Sequence, residues 1–228
     1  IKPSNLHAVD FIIKTILESK EKIYLIPTGP LSNIGVALLC GPKIKGKIEM
    51  IVLMGGAVFE SNVTPAAEFN IYVDPEAAKI VFESGLPLTM VGLDVTNKAI
   101  FSFQDIDKLE KFNGKVSKVV APLLRFFARA NYEIFGFEGA PLHDALAVSY
   151  VIDKTILNTK FLLVDIETYS ELTRGQTVVD VYGVTEKKPN VNVALEIDLV
   201  KFKDLIFKAI KILDKRPAVN MAPFIDLQ

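Results

Sequence analysis

The sequence predicts an α/β fold: an open, mainly parallel sheet flanked by helices, formed as a single domain over residues 1–228. Three observations carry this expectation. Apolar runs of strand length alternate with helix-period segments through the first hundred residues, the rhythm that right-handed crossovers give a parallel sheet. The run at 51–54 is unbroken apolar and ends at Gly55-Gly56, which reads as a buried strand followed by a sharp turn. A loop rich in Asn, Thr and Glu then leads to Asp74-Pro75-Glu76, a helix start with Asp74 as N-cap and Pro75 at the first helical position.

Taken in order, residues 5–18 set apolar side chains at 9, 12, 13, 16 and 17, a helical stripe with Asn5 as its cap and His7 at its start as a structural or solvated residue. Residues 23–26 form a short strand, closed by the turn Pro27-Thr28-Gly29-Pro30. A helix over about 31–39 is stopped by Gly41-Pro42. The strand at 48–54 follows, then the polar loop, where Glu68 and Asn70 lie two apart. An extended backbone there turns both to one side and Phe69 to the other. A helix over 75–84 ends at Gly85, and 88–93 makes the next strand. Beyond Asp94 the pattern turns helical at 102–112 and 115–132, with Phe126, Phe127 and Phe135 read as core aromatics. Residues 136–142 form a turn-rich loop that delivers His143-Asp144 to a helix ending near 152. Strands near 161–167, 177–182 and 191–197 and a helix over 200–213 complete the chain.

Half of the residues are apolar and the formal net charge is −1, so neither nucleic acid nor a membrane is an expected partner. No apolar run approaches the ~18 residues of a membrane helix. The first residues, IKPSNLHAVD, lack the charged start and apolar stretch of a secretion signal. The single cysteine, Cys40, excludes an internal disulfide and reads as a small helix-packing residue; a reducing, cytoplasmic setting follows. Because residue 1 is Ile, the sequence is expected to be a processed or partial product.

Polar groups collect at strand ends and at one helix start. In PTGPLSN, Thr28 sits on a tight turn that exposes a backbone carbonyl; the run lacks the Lys and the spacing of a phosphate loop. Asp94, in GLDVTN, reads together with Thr96 as the cap of the next turn, with a site role as the alternative. His143-Asp144 pairs the usual neutral-pH proton carrier with a carboxylate where α/β proteins place ligand-binding groups; the alternative is a capping Asp144 and a surface His143. Asn62, Thr64, Glu68 and Asn70 offer a carboxylate among amides with no nearby Lys or Arg, a set suited to vicinal hydroxyls. No cysteine–histidine zinc spacing and no nucleophile elbow competes.

These residues stand in PTGPLSNI, IVLMGGAVFESNVTPAAEFNIYVDPEAA, MVGLDVT and GAPLHDALAV, and in that order the sequence resembles the nucleoside hydrolase family, also called inosine-uridine preferring nucleoside hydrolases. The resemblance covers the whole chain. It implies hydrolysis of the N-glycosidic bond of purine or pyrimidine ribonucleosides to base and ribose, with a bound Ca²⁺ holding the ribose diol. By matching position it implies that the carbonyl of Thr28 and the carboxylate of Asp144 are calcium ligands. It implies that Asn62, Glu68 and Asn70 grip ribose hydroxyls, that Met54 lines the sugar pocket, and that Phe69 lies close to it. His143 is implied beside the leaving base, in position to help protonate it. A purine-specific branch stacks tryptophan on the base; with no Trp and with His143, this chain is more similar to the base-inclusive or pyrimidine-accepting branch. A homo-oligomer is a further implication. The chemistry is consistent, because cleavage develops oxocarbenium-like charge on the sugar that acid and amide groups can stabilise.

The resemblance also implies an N-terminal strand ending in D-x-D-x-x-x-D-D, source of the catalytic base and most calcium carboxylates. The sequence contains no such run. The leading strands are therefore expected to lie in a longer enzyme, on a second chain, or to have been lost together with activity. A sheet without them is expected to expose an edge and an apolar face and to need a partner. A non-catalytic nucleoside- or ribose-binding protein is the alternative function, and an assembly subunit with a vestigial site is the third.

Overall fold

The computed structural model describes residues 4–216, so the Ile1 start lies outside the described residues. Helix α1 (Ala8–Glu18) leads to strand β1 (Ile23–Leu25), helix α2 (Ser32–Cys40), strand β2 (Ile48–Met54), the short helix α3 (Phe69–Val73), helix α4 (Pro75–Phe82), strand β3 (Leu88–Val91) and the single-turn helix α5 (Leu93–Thr96). Then come β4 (Ile100–Ser102), α6 (Phe103–Glu110), α7 (Ser117–Phe135), β5 (Gly139–Pro141), α8 (His143–Ile152), β6 (Leu157–Ile166), β7 (Thr177–Asp180), β8 (Val191–Ile197) and α9 (Leu199–Lys215). The described residues form two compact units: 4–99 with Leu142–Leu199, and Ile100–Pro141 with 200–216.

The first unit holds a six-stranded sheet in the order β1-β2-β3-β8-β6-β7. The pairings from β1 to β8 are parallel, as expected. β6 and β7 join antiparallel, which apolar patterning does not encode, since it marks a strand without giving its direction. Ile51 and Leu53 of β2, with Leu88 and Met90 of β3, enter a core shared with Ile16, Leu38, Ala78 and Val81. Side-chain alternation turns Val52 and Met54 to the opposite face, where α8 packs against β2. That packing brings the C-terminal tip of β2 to the start of α8. Local caps set the helix starts: Asp74 accepts the Ala77 N–H at 3.0 Å as expected, whereas α1 begins at His7, whose Nδ1 accepts the Val9 N–H, and not at Asn5.

In the second unit β4 and β5 pair antiparallel, and Ser102 and Asp105 form a reciprocal capping box for α6. α7 starts at Ser117 because the Asp214 carboxylate accepts the Val116 and Ser117 N–H groups at 2.7 and 3.0 Å. The aromatics of this helix correct the sequence reading. Phe126, Phe127 and Phe135 are exposed, and α7 buries Ser117, Ala121, Ala128 and Asn131 instead. Among the described residues no helix is long and apolar enough to cross a membrane.

Candidate active site

The site is built around the end of β2. Gly55 and Gly56 take φ of +156° and +70°, and a Cβ on Gly56 would lie 2.7 Å from Thr177 Cγ2 and 2.9 Å from Met90 Sδ. Only glycine fits there. The loop that follows closes on Glu68, whose buried carboxylate accepts three backbone N–H groups: Gly56 at 2.8 Å, Asn70 at 2.9 Å and Ile71 at 3.3 Å. Two of these make Glu68 the N-cap of α3. Residues 68–70 therefore do not continue as extended chain; the helix begins at Phe69 and keeps that side chain at the pocket. Asn70 donates from Nδ2 to the Met54 carbonyl at 3.0 Å, and Asn62 accepts the Phe69 N–H at 2.9 Å. Thr64 stays inside the loop, accepting the Ala66 and Ala67 N–H groups.

The facing wall comes from α5 and α8. Asp94 was expected to cap its own turn. In fact the helix is capped by Gly92, and Asp94 accepts N–H groups from Val58 and Phe59 in the loop, at 2.6 and 2.9 Å. Thr96 lies 2.8 Å from His143 Nδ1 through its hydroxyl. Asp144 occupies the first turn of α8 and hydrogen-bonds to no described residue, so it is not a cap either. One pocket is lined by Thr28, Met54, Asn62, Glu68, Phe69, Asn70, Leu93, His143 and Asp144. All but Leu93 are residues the sequence singled out.

Over residues 1–204 the chain matches the family described as inosine-uridine preferring nucleoside hydrolase. The chain belongs to this enzyme family. Curated relatives include the pyrimidine-specific ribonucleoside hydrolase RihA of Shigella boydii serotype 4 (strain Sb227), 44% identical over 210 residues that span 92% of this chain and 68% of the relative. The RihA of Escherichia coli (strain SMS-3-5 / SECEC) matches with the same figures. Among solved structures, the purine-preferring ribonucleoside hydrolase from Gardnerella vaginalis superposes with a TM-score of 0.86 at 35% identity, covering 94% of this chain and 68% of its own. The plant nucleoside hydrolase PpNRh1 gives 0.85 at 27% identity, covering 92% and 69%.

In this nucleoside hydrolase, burial governs the ionisable groups of the pocket. It holds His143 below the usual histidine range and pushes Asp144 above the usual carboxylate range. Glu68 is also raised, because burial outweighs its three N–H bonds and the nearby Asp144 charge adds to it. An oxygen-seeking cation would find the Asp144 carboxylate and Thr28 in the lining of the same pocket. These fit calcium in kind, and in number they are two of the roughly six to eight oxygens it takes. Among the described residues no group of three or more His, Cys, Asp or Glu side chains is placed to hold a metal, and both Glu68 oxygens are engaged by backbone. Thr96, read with Asp94 as a cap or a site residue, supports the site through His143. Thr177 was missed: it meets Ala57 across 120 positions, a contact with no local sign.

Proposed function

We propose that this nucleoside hydrolase cleaves the N-glycosidic bond of ribonucleosides, pyrimidine nucleosides included, to free base and ribose in nucleoside salvage. The observation that carries the reading is the single pocket in which amides and a carboxylate (Asn62, Asn70, Glu68) face a histidine on α8. Its 44% identity with pyrimidine-specific RihA supports the pyrimidine assignment, as does the lack of tryptophan. Asn62, Glu68 and Asn70 orient the ribose and stabilise positive charge as the bond to the base lengthens. Met54 and Phe69 supply the apolar walls. Burial disfavours the charged form of His143, and a Thr96 hydroxyl donating to Nδ1 leaves the N–H on Nε2, where it can donate a hydrogen bond to the departing base and stabilise the charge that develops there.

The same proposal includes Ca²⁺ held through the Thr28 carbonyl and the Asp144 carboxylate, with further oxygens from outside this pair. When bound, the ion supplies charge that fixes the ribose diol. A cytoplasmic homo-oligomer belongs to the proposal as well, on the single cysteine and the family resemblance.

The test is to incubate the protein with inosine, uridine and p-nitrophenyl riboside, with calcium and with a chelator, and to measure free ribose. Ribose released only with calcium is the expected result. Saturable nucleoside binding without ribose would favour a non-catalytic binding protein. Neither binding nor product would overturn both readings.

A further inference from the structure

Near its start the loop between β2 and α3 carries four consecutive backbone N–H groups, each accepted by a side chain distant in sequence. Gly56 donates to Glu68 Oε2 at 2.8 Å and Ala57 to Thr177 Oγ1 at 2.9 Å. Val58 and Phe59 donate to the two oxygens of one residue, Asp94, at 2.6 and 2.9 Å. The element carrying Asp94 is pressed onto the same stretch: the Leu93 N–H donates to the Gly56 carbonyl at 3.0 Å, and a Cβ on Gly92 would lie 2.7 Å from that carbonyl. Apolar packing holds only the first part of this stretch, where Ala57 is buried and Val58 packs against the core; Phe59 is 80% exposed and residues 60, 62 and 63 are exposed too. Of the four polar anchors Asp94 accepts two, including the one at the exposed Phe59.

We propose that Asp94 is a positioning residue for substrate binding. Its carboxylate fixes the direction in which the loop leaves β2, three residues before Asn62, and so sets where the Asn62 turn, closed on itself through the Ala67 carbonyl and the Phe69 N–H, sits at the pocket. A carboxylate is required because two N–H donors need two proton-free oxygens; an amide of the same shape offers one oxygen and sets a second donor against a donor. This role rests on the reading of the loop as the segment that grips the sugar.

The experiment is a double-mutant cycle on the enzyme with calcium present: wild type, Asp94→Asn, Asn62→Ala and the pair. Asp94→Asn is expected to lower kcat/KM by about tenfold in the wild-type background and by less than about twofold when Asn62 is already alanine. The loss should be equal for p-nitrophenyl riboside and for nucleosides, because the fault lies on the sugar side. An Asp94 that only stabilises the fold would lower Tm and leave kcat/KM unchanged; that result, or equal losses in both backgrounds, overturns the proposal. Asp94→Ser, which keeps one acceptor, enters the same cycle if the amide variant does not fold. If the wild type binds without turnover, the calorimetric Kd for the nucleoside takes the place of kcat/KM. A wild type that neither binds nor hydrolyses overturns the function reading and this role with it, whereas an active wild type with additive losses overturns this role alone.

Discussion

Replacing Glu68 by glutamine removes one acceptor oxygen from a carboxylate that ties together β2, the loop and α3. The Gln amide can turn its oxygen to the Gly56 and Ile71 N–H groups at 2.8 and 3.3 Å, but its NH2 group then faces the Asn70 N–H. Hydrogen bonds to a charged acceptor contribute about 1.5–3 kcal/mol each, and the 3.3 Å bond to Ile71 belongs at the weak end. Against this, a neutral amide escapes the desolvation that burial imposes on the carboxylate. A net loss of about 1–2 kcal/mol is expected once that relief is set against the one lost bond and the lost charge on the other two. The assay is urea unfolding, read as a lower midpoint at unchanged slope. In the same protein kcat/KM should fall on the order of 10²-fold for every nucleoside, the scale of one lost electrostatic contact. A midpoint equal to wild type would refute the anchoring role. Unchanged kcat/KM would refute the place of Glu68 at the sugar.

Three further outcomes follow from the same geometry. His143→Ala should slow nucleosides with poor leaving bases and spare p-nitrophenyl riboside; equal losses on the two substrate types would end its role as donor to the departing base. Burial lowers the His143 pKa, so below the ordinary histidine value of about 6.5 the unfolded chain binds a proton that the folded one resists. Its contribution to stability is complete above that pH and is lost as pH falls through the lowered value. Urea midpoints should therefore drop more for wild type than for His143→Gln between pH 7 and pH 5, and parallel curves would contradict the burial argument. Gly92→Ala places a methyl 2.7 Å from the Gly56 carbonyl and should cost about 1–3 kcal/mol, visible as a lowered Tm. An unchanged Tm would show that α5 and the loop are not in close register.

What the sequence made legible was local chemistry. The apolar run into Gly55-Gly56 and the Asp74-Pro75 helix start depend on residues a few positions apart, and both occur where expected. Helix α3 did not announce itself. Five residues carry no period, and the helix is nucleated by the Glu68 carboxylate, itself held by Gly56 from 12 positions away. Asp94 shows the same limit from the other side. Its chemistry, a carboxylate accepting N–H groups, was readable, but the groups it accepts belong to a loop 35 and 36 positions upstream. For α7, period alone identifies an apolar stripe without saying that the small residues beside it are the buried ones.

Helix α5 is only four residues long, yet Asp94 holds the loop that follows β2 while Thr96, two positions later, meets His143 on α8. One helical turn thus works as a fixed gauge, setting the distance between the two jaws of the cleft. A change in that turn shifts both jaws at once.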